Sequence, residues 1–305
     1  MITDNLVIRK PKVSVCVVAY NHECFLRECL ESIVNQVVDF EFEVLVGDDA
    51  STDETREIIQ DFVHRYPNIV VGIYHKVNVG STNNYISVHS RAQGDYIAHV
   101  DGDDLMLPGK LQAQADYLDG NANCNVVWHQ VTFFSEIGDS CVMPQGNSSV
   151  LDVKLYTRDL LLCGSVAAHS STMYRARQYF LHLPAKEELI DWYVLVRLVG
   201  EGYGIVLREN LGKYRLHQGG LSNGAKPTLK MRKFFCDGQL KMLDLYPQYS
   251  KEIAARALMT TLLDAASLRK SCMLSLNVFL KTKSLPRFKD IGVLKKLYFA
   301  NRRSA

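Results

Sequence analysis

Between Val13 and Val100 the chain alternates apolar, β-branched runs with segments of helical periodicity, and that alternation restricts the fold more than any other feature. Val13-Ser14-Val15-Cys16-Val17-Val18-Ala19 reads as a strand buried on both faces, because it is apolar nearly throughout rather than at every second position. Phe25, Leu26, Cys29, Leu30, Ile33 and Val34 then recur at helical spacing, with Asn21 placed to cap the helix. Residues 42–47 predict a second strand, and Ile58, Ile59, Phe62, Val63 and Tyr66 mark a second helix. A third strand at 69–74, a third helix at 81–92 and a fourth strand at 96–100 continue the series. Strands joined by helices run parallel, since parallel neighbours need a crossover rather than a hairpin. The expected architecture is an α/β fold with a mostly parallel central sheet, helices on both faces, and ligands at the carboxyl ends of the strands.

Those carboxyl ends carry acids. Asp48-Asp49 follow the second strand, and Asp101-Gly102-Asp103-Asp104 follow the fourth. Adjacent carboxylates repel one another, and a hard divalent cation with oxygen ligands is their usual partner. Gly102 is expected to let the chain turn sharply, so that Asp101 and Asp103 converge instead of facing opposite sides of a strand. An isolated Asp-Gly-Asp equally suits a solvated turn.

The length of 305 residues fits one large domain, or one with a smaller region appended, and 47% hydrophobic with 22% charged residues describes a globular chain. No apolar stretch is long enough to span a bilayer, and residues 1–12 lack the apolar centre of a secretory signal, so a cytoplasmic location is expected. The eight cysteines are scattered without a Cys-x-x-Cys pair, which argues against a disulfide framework or a zinc site. Charge is unevenly spread. Residues 225–305 hold 17 Lys+Arg against 5 Asp+Glu, leaving 18 against 28 for residues 1–224. Such asymmetry points the C-terminal part at an anionic surface, and its Leu, Phe and Tyr content favours a lipid headgroup layer over a nucleic acid, although a solvated basic helical face gives the same pattern. Further elements are expected as a helix at 109–118, a strand at 125–134, a loop at 138–149, a helix at 189–199, a short strand at 205–207, a Gly-rich loop at 217–224 and basic helices from Thr228 onward.

The order of motifs carries a resemblance. Val15-Cys16-Val17-Val18-Ala19-Tyr20-Asn21-His22, Leu30-Glu31-Ser32-Ile33-Val34-Asn35-Gln36, Gly47-Asp48-Asp49-Ala50-Ser51-Thr52-Asp53, Asn78-Val79-Gly80 and Asp101-Gly102-Asp103-Asp104 are together similar to family 2 glycosyltransferases of the GT-A fold, over residues 12–223. With Pro108-Gly109-Lys110-Leu111 they most resemble the bacterial O-antigen and capsule transferases. The resemblance implies a GT-A catalytic domain over about residues 1–224, with a nucleotide-sugar half near 12–107 and an acceptor half near 108–224, and a helical basic C-terminal extension over 225–305. It implies a UDP-sugar donor, Mn²⁺ or Mg²⁺ as cofactor, and inverting transfer of a hexose, with UDP-Gal or UDP-Glc favoured. The implied acceptor is a lipid-diphosphate-linked GlcNAc or GalNAc, met at the inner face of the cytoplasmic membrane. No nucleic-acid partner is expected.

By the same resemblance Ala19, Tyr20 and Asn21 meet the nucleotide, Asp48 or Asp49 the uracil, and Asn78 with Gly80 the donor pocket. Asp101, turned by Gly102, takes ribose or sugar hydroxyls, Asp103 binds the metal, and Asp104 is a possible further ligand. Asp191 in Glu188-Leu189-Ile190-Asp191-Trp192 corresponds to the family's base. Ile190 stands where the family usually has Glu, which leaves Glu188 and Glu187 as competitors. His217 in Tyr214-Arg215-Leu216-His217 matches a late histidine motif that would complete the metal or diphosphate site. Two other classes compete with this reading. A Mg²⁺-binding signalling receiver also gathers acids at strand ends but needs about half this length, and a noncatalytic nucleotide- or glycan-binding descendant of the fold would keep the motifs without activity. A dinucleotide oxidoreductase is disfavoured, because no Gly-x-Gly-x-x-Gly follows the first strand.

Overall fold

A computed structural model of the protein describes residues 10–135, 138–143, 150–176, 191–217, 229–267 and 269–300. The chain divides into two compact units. The first comprises Met1–Asn121, His169–Lys186 and Leu211–Tyr214, and the second Ala122–Ala168, Glu187–Asn210 and Arg215–Ala305.

The first unit realises the expected alternation. Strands β1 (Val13–Ala19), β2 (Phe42–Asp48), β3 (Val70–Tyr74) and β4 (Tyr96–Asp101) alternate with helices α1 (Leu26–Val34), α2 (Thr55–Arg65) and α3 (Ser81–His89). They lie in the order β3-β2-β1-β4, all parallel. The short pair β5 (Leu105–Met106) and α4 (Lys110–Gly120) follow, and β8 (Met173–Arg175) closes beside β4 as an antiparallel neighbour. Burial explains the continuous apolar runs: Val13, Val15, Cys16 and Val17 of β1 are all fully buried, because helices cover both faces. Helix α1 presents Leu26, Cys29, Leu30 and Ile33 to that core. Truncating Leu30 to alanine there costs about 2–5 kcal/mol, the range for a large-to-small change in a packed core.

The register of these strands positions the site. Ala19 pairs with Asp48 across β1 and β2, and Val18 pairs with Asp101 across β1 and β4. Three adjacent strands therefore end at one level, with their loops side by side.

The second unit contains β6 (Cys124–Ser135), β7 (Gly138–Met143), α5 (Thr157–Cys163), α6 (Asp191–Val199), most of β9 (Tyr203–Arg215), and the helices α7 (Leu229–Leu245), α8 (Ser250–Ala266), α9 (Cys272–Thr282) and α10 (Phe288–Ala300). Two expectations fail here. Residues 138–143, read as loop, form a strand antiparallel to β6, with Ser135 opposite Gly138 where the chain doubles back. The short strand at 205–207 is one part of a long strand running from Tyr203 to Arg215, since its exposed Arg208 and Glu209 interrupt the apolar pattern without ending the ladder. The basic helices beyond Thr228 are present. Among the described residues no helix is long and apolar enough to cross a membrane.

Candidate active site

The loops at the carboxyl ends of β1 and β2 are tied together by reciprocal hydrogen bonds. Asn21 N–H donates to Ser51 Oγ (3.0 Å), Thr52 N–H to Asn21 Oδ1 (2.9 Å) and Glu23 N–H to Asp53 Oδ2 (3.1 Å). Asn21 is in a left-handed conformation with φ 54°, which asparagine tolerates better than most residues. It is not the cap of α1, which begins five residues later at Leu26; its side chain is spent on the Thr52 amide instead. Ala19 is buried beneath this loop, and the Tyr20 ring is exposed.

Asp48 and Asp49 both point inward, with different partners. Asp48 is 0% exposed, accepts the Ser51 amide at 2.9 Å and the Arg56 Nε at 2.7 Å, and so anchors α2 to the sheet. Its carboxylate is enclosed, and Asp49 beside it is buried to nearly the same degree at 2% exposed. Asp49 receives the amides of Val79 (2.7 Å) and Gly80 (3.0 Å), which draws the Asn78-Val79-Gly80 segment onto the end of β2. Gly80 has φ 87° at the start of α3, with open space where a Cβ would stand, so its requirement is conformational and not steric.

At the end of β4 the requirement is reversed. Gly102 is not in the left-handed region; a Cβ there would lie 3.0 Å from the Val18 carbonyl oxygen and 2.8 Å from His22 Nδ1, so glycine is needed for close approach to β1. Asp101 keeps about a third of its side chain exposed (34%), while Asp103 is half-buried in the turn. Asp101 Oδ1 accepts from His99 Nε2 at 3.2 Å, and Oδ2 from Ser170 Oγ at 3.2 Å. Burial pulls the Asp101 carboxyl up, but His99, its hydrogen bond, His169 and His22 hold it well below the usual carboxylate range. Asp104, a candidate further ligand, turns away from that edge. It is buried, and its charge acts on Lys110.

Lys110 is fully buried at the start of α4, and its Nζ donates to the Ser170 carbonyl at 2.7 Å. This fixes the short 3₁₀ turn at His169–Ser171 that supports Asp101. Burial pushes the Lys110 ammonium down to about 7, against the opposing pull of Asp104 and Cys29. An unfolded lysine titrates near 10.4, so between about pH 7 and 10 the unfolded chain binds more protons and Lys110 makes stability rise with pH. Lys110→Met is expected to remove a rise of about 3 kcal/mol between pH 7 and 9.5, at 1.36 kcal/mol per unit. Denaturant unfolding of both proteins at pH 7 and 9.5 measures it; parallel pH slopes would contradict it.

His99, Asp101 and His169 each offer a ligand atom, all within 4.8 Å of one another. Both His99 nitrogens already have hydrogen-bond partners, Nε2 with Asp101 and Nδ1 with His89. The oxygen-rich edge formed by Asp101 and Asp103 suits a hard divalent cation, Mg²⁺ or Mn²⁺, better than the histidine group does. Sequence reasoning missed His99, His169, Ser170 and Lys110, since no motif joins them; only the packing of β4, α4 and the 169–171 turn does. Asp191 opens α6 with its side chain exposed, and His217 follows β9, half-buried; both belong to the second unit. Glu187, Glu188 and the Gly-rich loop from residue 218 lie outside the described residues.

A parallel sheet whose adjacent strands end at Ala19, Asp48 and Asp101, with an acidic turn beside them, places a candidate ligand site at the carboxyl ends of the strands of an α/β fold. The family model described as glycosyl transferase family 2 matches residues 14–175, and the chain belongs to that family. It is 35% identical over 216 residues to an uncharacterised protein of Mycobacterium tuberculosis, covering 70% of this chain and 61% of that one, so it spans less than two thirds of that relative. It is 31% identical to EpsE of Bacillus subtilis, which carries the name glycosyltransferase, over 67% of this chain and 73% of that one. In three dimensions it is similar to TarS of S. aureus, solved with UDP-GlcNAc, at a TM-score of 0.67 and 18% identity, over 96% of this chain and 88% of the other. That likeness establishes a GT-A fold.

Proposed function

We propose that the protein transfers a hexose, with inversion, from a UDP-sugar to a lipid-diphosphate-linked GlcNAc or GalNAc acceptor in bacterial surface polysaccharide synthesis, with UDP-Gal or UDP-Glc as the favoured donor. The observation that carries this reading is the shared level at which β1, β2 and β4 end, which sets Ala19, Asp48 and Asp101 in one row. In this reading Ala19, Tyr20 and Asn21 flank the nucleotide. Asp48 or Asp49, both enclosed and each keeping an oxygen lone pair beside its backbone amide, accepts from the uracil, and Asn78 and Gly80 line the donor pocket. Asp101 accepts from ribose or sugar hydroxyls, its ionised state suiting it to accept only. Asp103, with His217 at the diphosphate, would hold Mn²⁺ or Mg²⁺; when bound, the ion offsets the charge of the departing UDP. Asp191 takes the proton from the acceptor hydroxyl as its oxygen bonds to the anomeric carbon and UDP leaves with the bonding pair. A panel of UDP-hexoses with and without a synthetic GlcNAc- or GalNAc-diphosphate-lipid tests this by UDP release. Acceptor-dependent release with one donor is the expected result. Donor binding without turnover on any acceptor would favour the noncatalytic descendant.

The acceptor also accounts for the C-terminal charge, though not through the face of α10. That helix buries Asp290 and Leu294, and Asp290 is held by Arg158 (2.9 Å) and Arg287 (2.7 Å), while Arg158 and Arg287 both reach Glu252 of α8. The four charges pin the start of α10 to α5 and α8. What faces outward is the corner between α9 and α10, where Leu285 is 81% and Phe288 94% exposed among exposed Lys281, Lys283 and Lys289. From Ala265 to Ala305 the sole acid is Asp290. A cationic corner with protruding Leu and Phe suits an anionic lipid surface, where basic groups meet headgroups and apolar tips enter the interface. Leu285→Glu with Phe288→Glu is expected to weaken binding to phosphatidylglycerol vesicles about tenfold with unfolding unchanged. Equal binding would remove the membrane role from this corner. Deletion beyond Pro286 is a poorer test, because it also takes Arg287 and Asp290 out of the charge cluster.

A further inference from the structure

Behind Asp101 lies a row of buried polar rings that neither the family match nor the donor reading assigns. His99 Nε2 stands 3.2 Å from Asp101 Oδ1, His99 Nδ1 is 3.0 Å from His89 Nε2, and His89 Nδ1 is 2.7 Å from the Tyr174 hydroxyl. All three rings are buried. They come from three elements, His99 from β4, His89 from the last turn of α3 and Tyr174 from β8. Tyr85 stacks on His89 with ring centroids 3.7 Å apart, and His169 packs on His99 at 4.0 Å, so neither imidazole is free to rotate.

We propose that Tyr174, His89 and His99 form a hydrogen-bonded row that positions the Asp101 carboxylate for the hexose hydroxyls of the donor; this rests on the donor-binding role of Asp101 given above. An ionised carboxylate only accepts, so the proton between His99 and Asp101 belongs to His99 Nε2. The inner two hydrogen bonds and the stacked Tyr85 and His169 rings hold the imidazoles in place behind it. Tyr174, His89 and His99 are positioning residues: His99 is the last link, and the other two act through it.

Helix α3 gives the chain a second consequence. Its first turn begins at the Asn78-Val79-Gly80 segment held by Asp49, and its last turn supplies His89. One rigid element thus sets both the donor-pocket loop and the orientation of Asp101. A substitution at His89 therefore acts on sugar recognition from the far side of the helix, without touching the nucleotide end.

The test uses the whole chain. Tyr174→Phe removes only the hydroxyl, and His89→Phe keeps a stacked ring while removing both nitrogens. UDP-hexose dissociation constants are expected to rise about threefold and about tenfold respectively, the span of one to two lost hydrogen bonds. UDP alone, which keeps the ribose and lacks the hexose, is expected to bind both variants within about twofold of the parent, a pattern that general loosening of the fold would not give. Unchanged hexose affinity in both variants, or UDP binding that weakens as much as UDP-hexose binding, would overturn the proposal. If no UDP-sugar binds the parent, the donor reading itself fails, an outcome distinct from a parent that binds and variants that bind equally well.

Discussion

Asp103→Ala is expected to lower acceptor-dependent UDP release by about a thousandfold while leaving the fold intact. The magnitude comes from the charge that develops as UDP departs: a bound divalent ion supplies several kcal/mol of stabilisation there, and about 4 kcal/mol is three decades in rate. Asp103 lies half-buried in the turn after β4, and neither the sheet register nor the turn bond from Asp104 N–H to the Asp101 carbonyl (3.0 Å) depends on its side chain. Melting temperature should therefore stay near that of the parent. Circular dichroism melts alongside a coupled UDP-release assay at saturating Mn²⁺ separate loss of chemistry from loss of fold. Retention of more than about a tenth of the parent rate would move the metal from Asp103 or make the reaction independent of it.

Asp191→Asn is the second large effect, with kcat expected to fall by about a hundredfold to ten-thousandfold, the contribution of a positioned general base. Donor affinity should be unchanged, because the base meets the acceptor and not the nucleotide. Asparagine keeps a side-chain oxygen at the start of α6, where Asp191 is the acidic residue of the first turn, so the loss of favourable interaction with the helix end is limited to about 0.3–1 kcal/mol. Steady-state rates with binding isotherms for the donor distinguish the outcomes. An asparagine variant as active as the parent would pass the role to Glu188 or Glu187, or return the protein to the noncatalytic class if the parent is equally inactive.

The parts of the fold legible in the sequence are those where one physical rule dominates. The run from Val13 to Ala19 could only be a doubly covered strand, and the spacing of Leu26, Cys29, Leu30 and Ile33 could only be a buried helix face; both are observed. Strand β7 escaped because its residues Gly138-Asp139-Ser140-Cys141 have turn-like composition, and pairing with β6 is a tertiary effect that local propensity does not carry. Within the site, the acidic residues were visible as motifs, yet their orientation was not. Asp48 faces Arg56, Asp104 acts on Lys110, and only Asp101 and Asp103 of the turn stay accessible to a ligand, because side-chain direction depends on packing against α2 and α4. His89, His99 and Tyr174 lie ten and seventy-five residues apart along the chain and meet only when α3 and β8 pack around β4. Lone histidines carry no motif. The one available signal was His99 immediately before Val100-Asp101, which places both side chains on the same face of a strand.

Calorimetric titration of UDP into the protein with and without Mn²⁺ tests the central claim most directly, because it asks whether the row of strand ends is a metal-assisted uridine diphosphate site before any acceptor is known. Binding that requires Mn²⁺, weakens at least about tenfold in Asp103→Ala and survives in Asp191→Asn is the predicted result. Absence of UDP binding with either Mn²⁺ or Mg²⁺, or binding indifferent to metal and to Asp103, would contradict it.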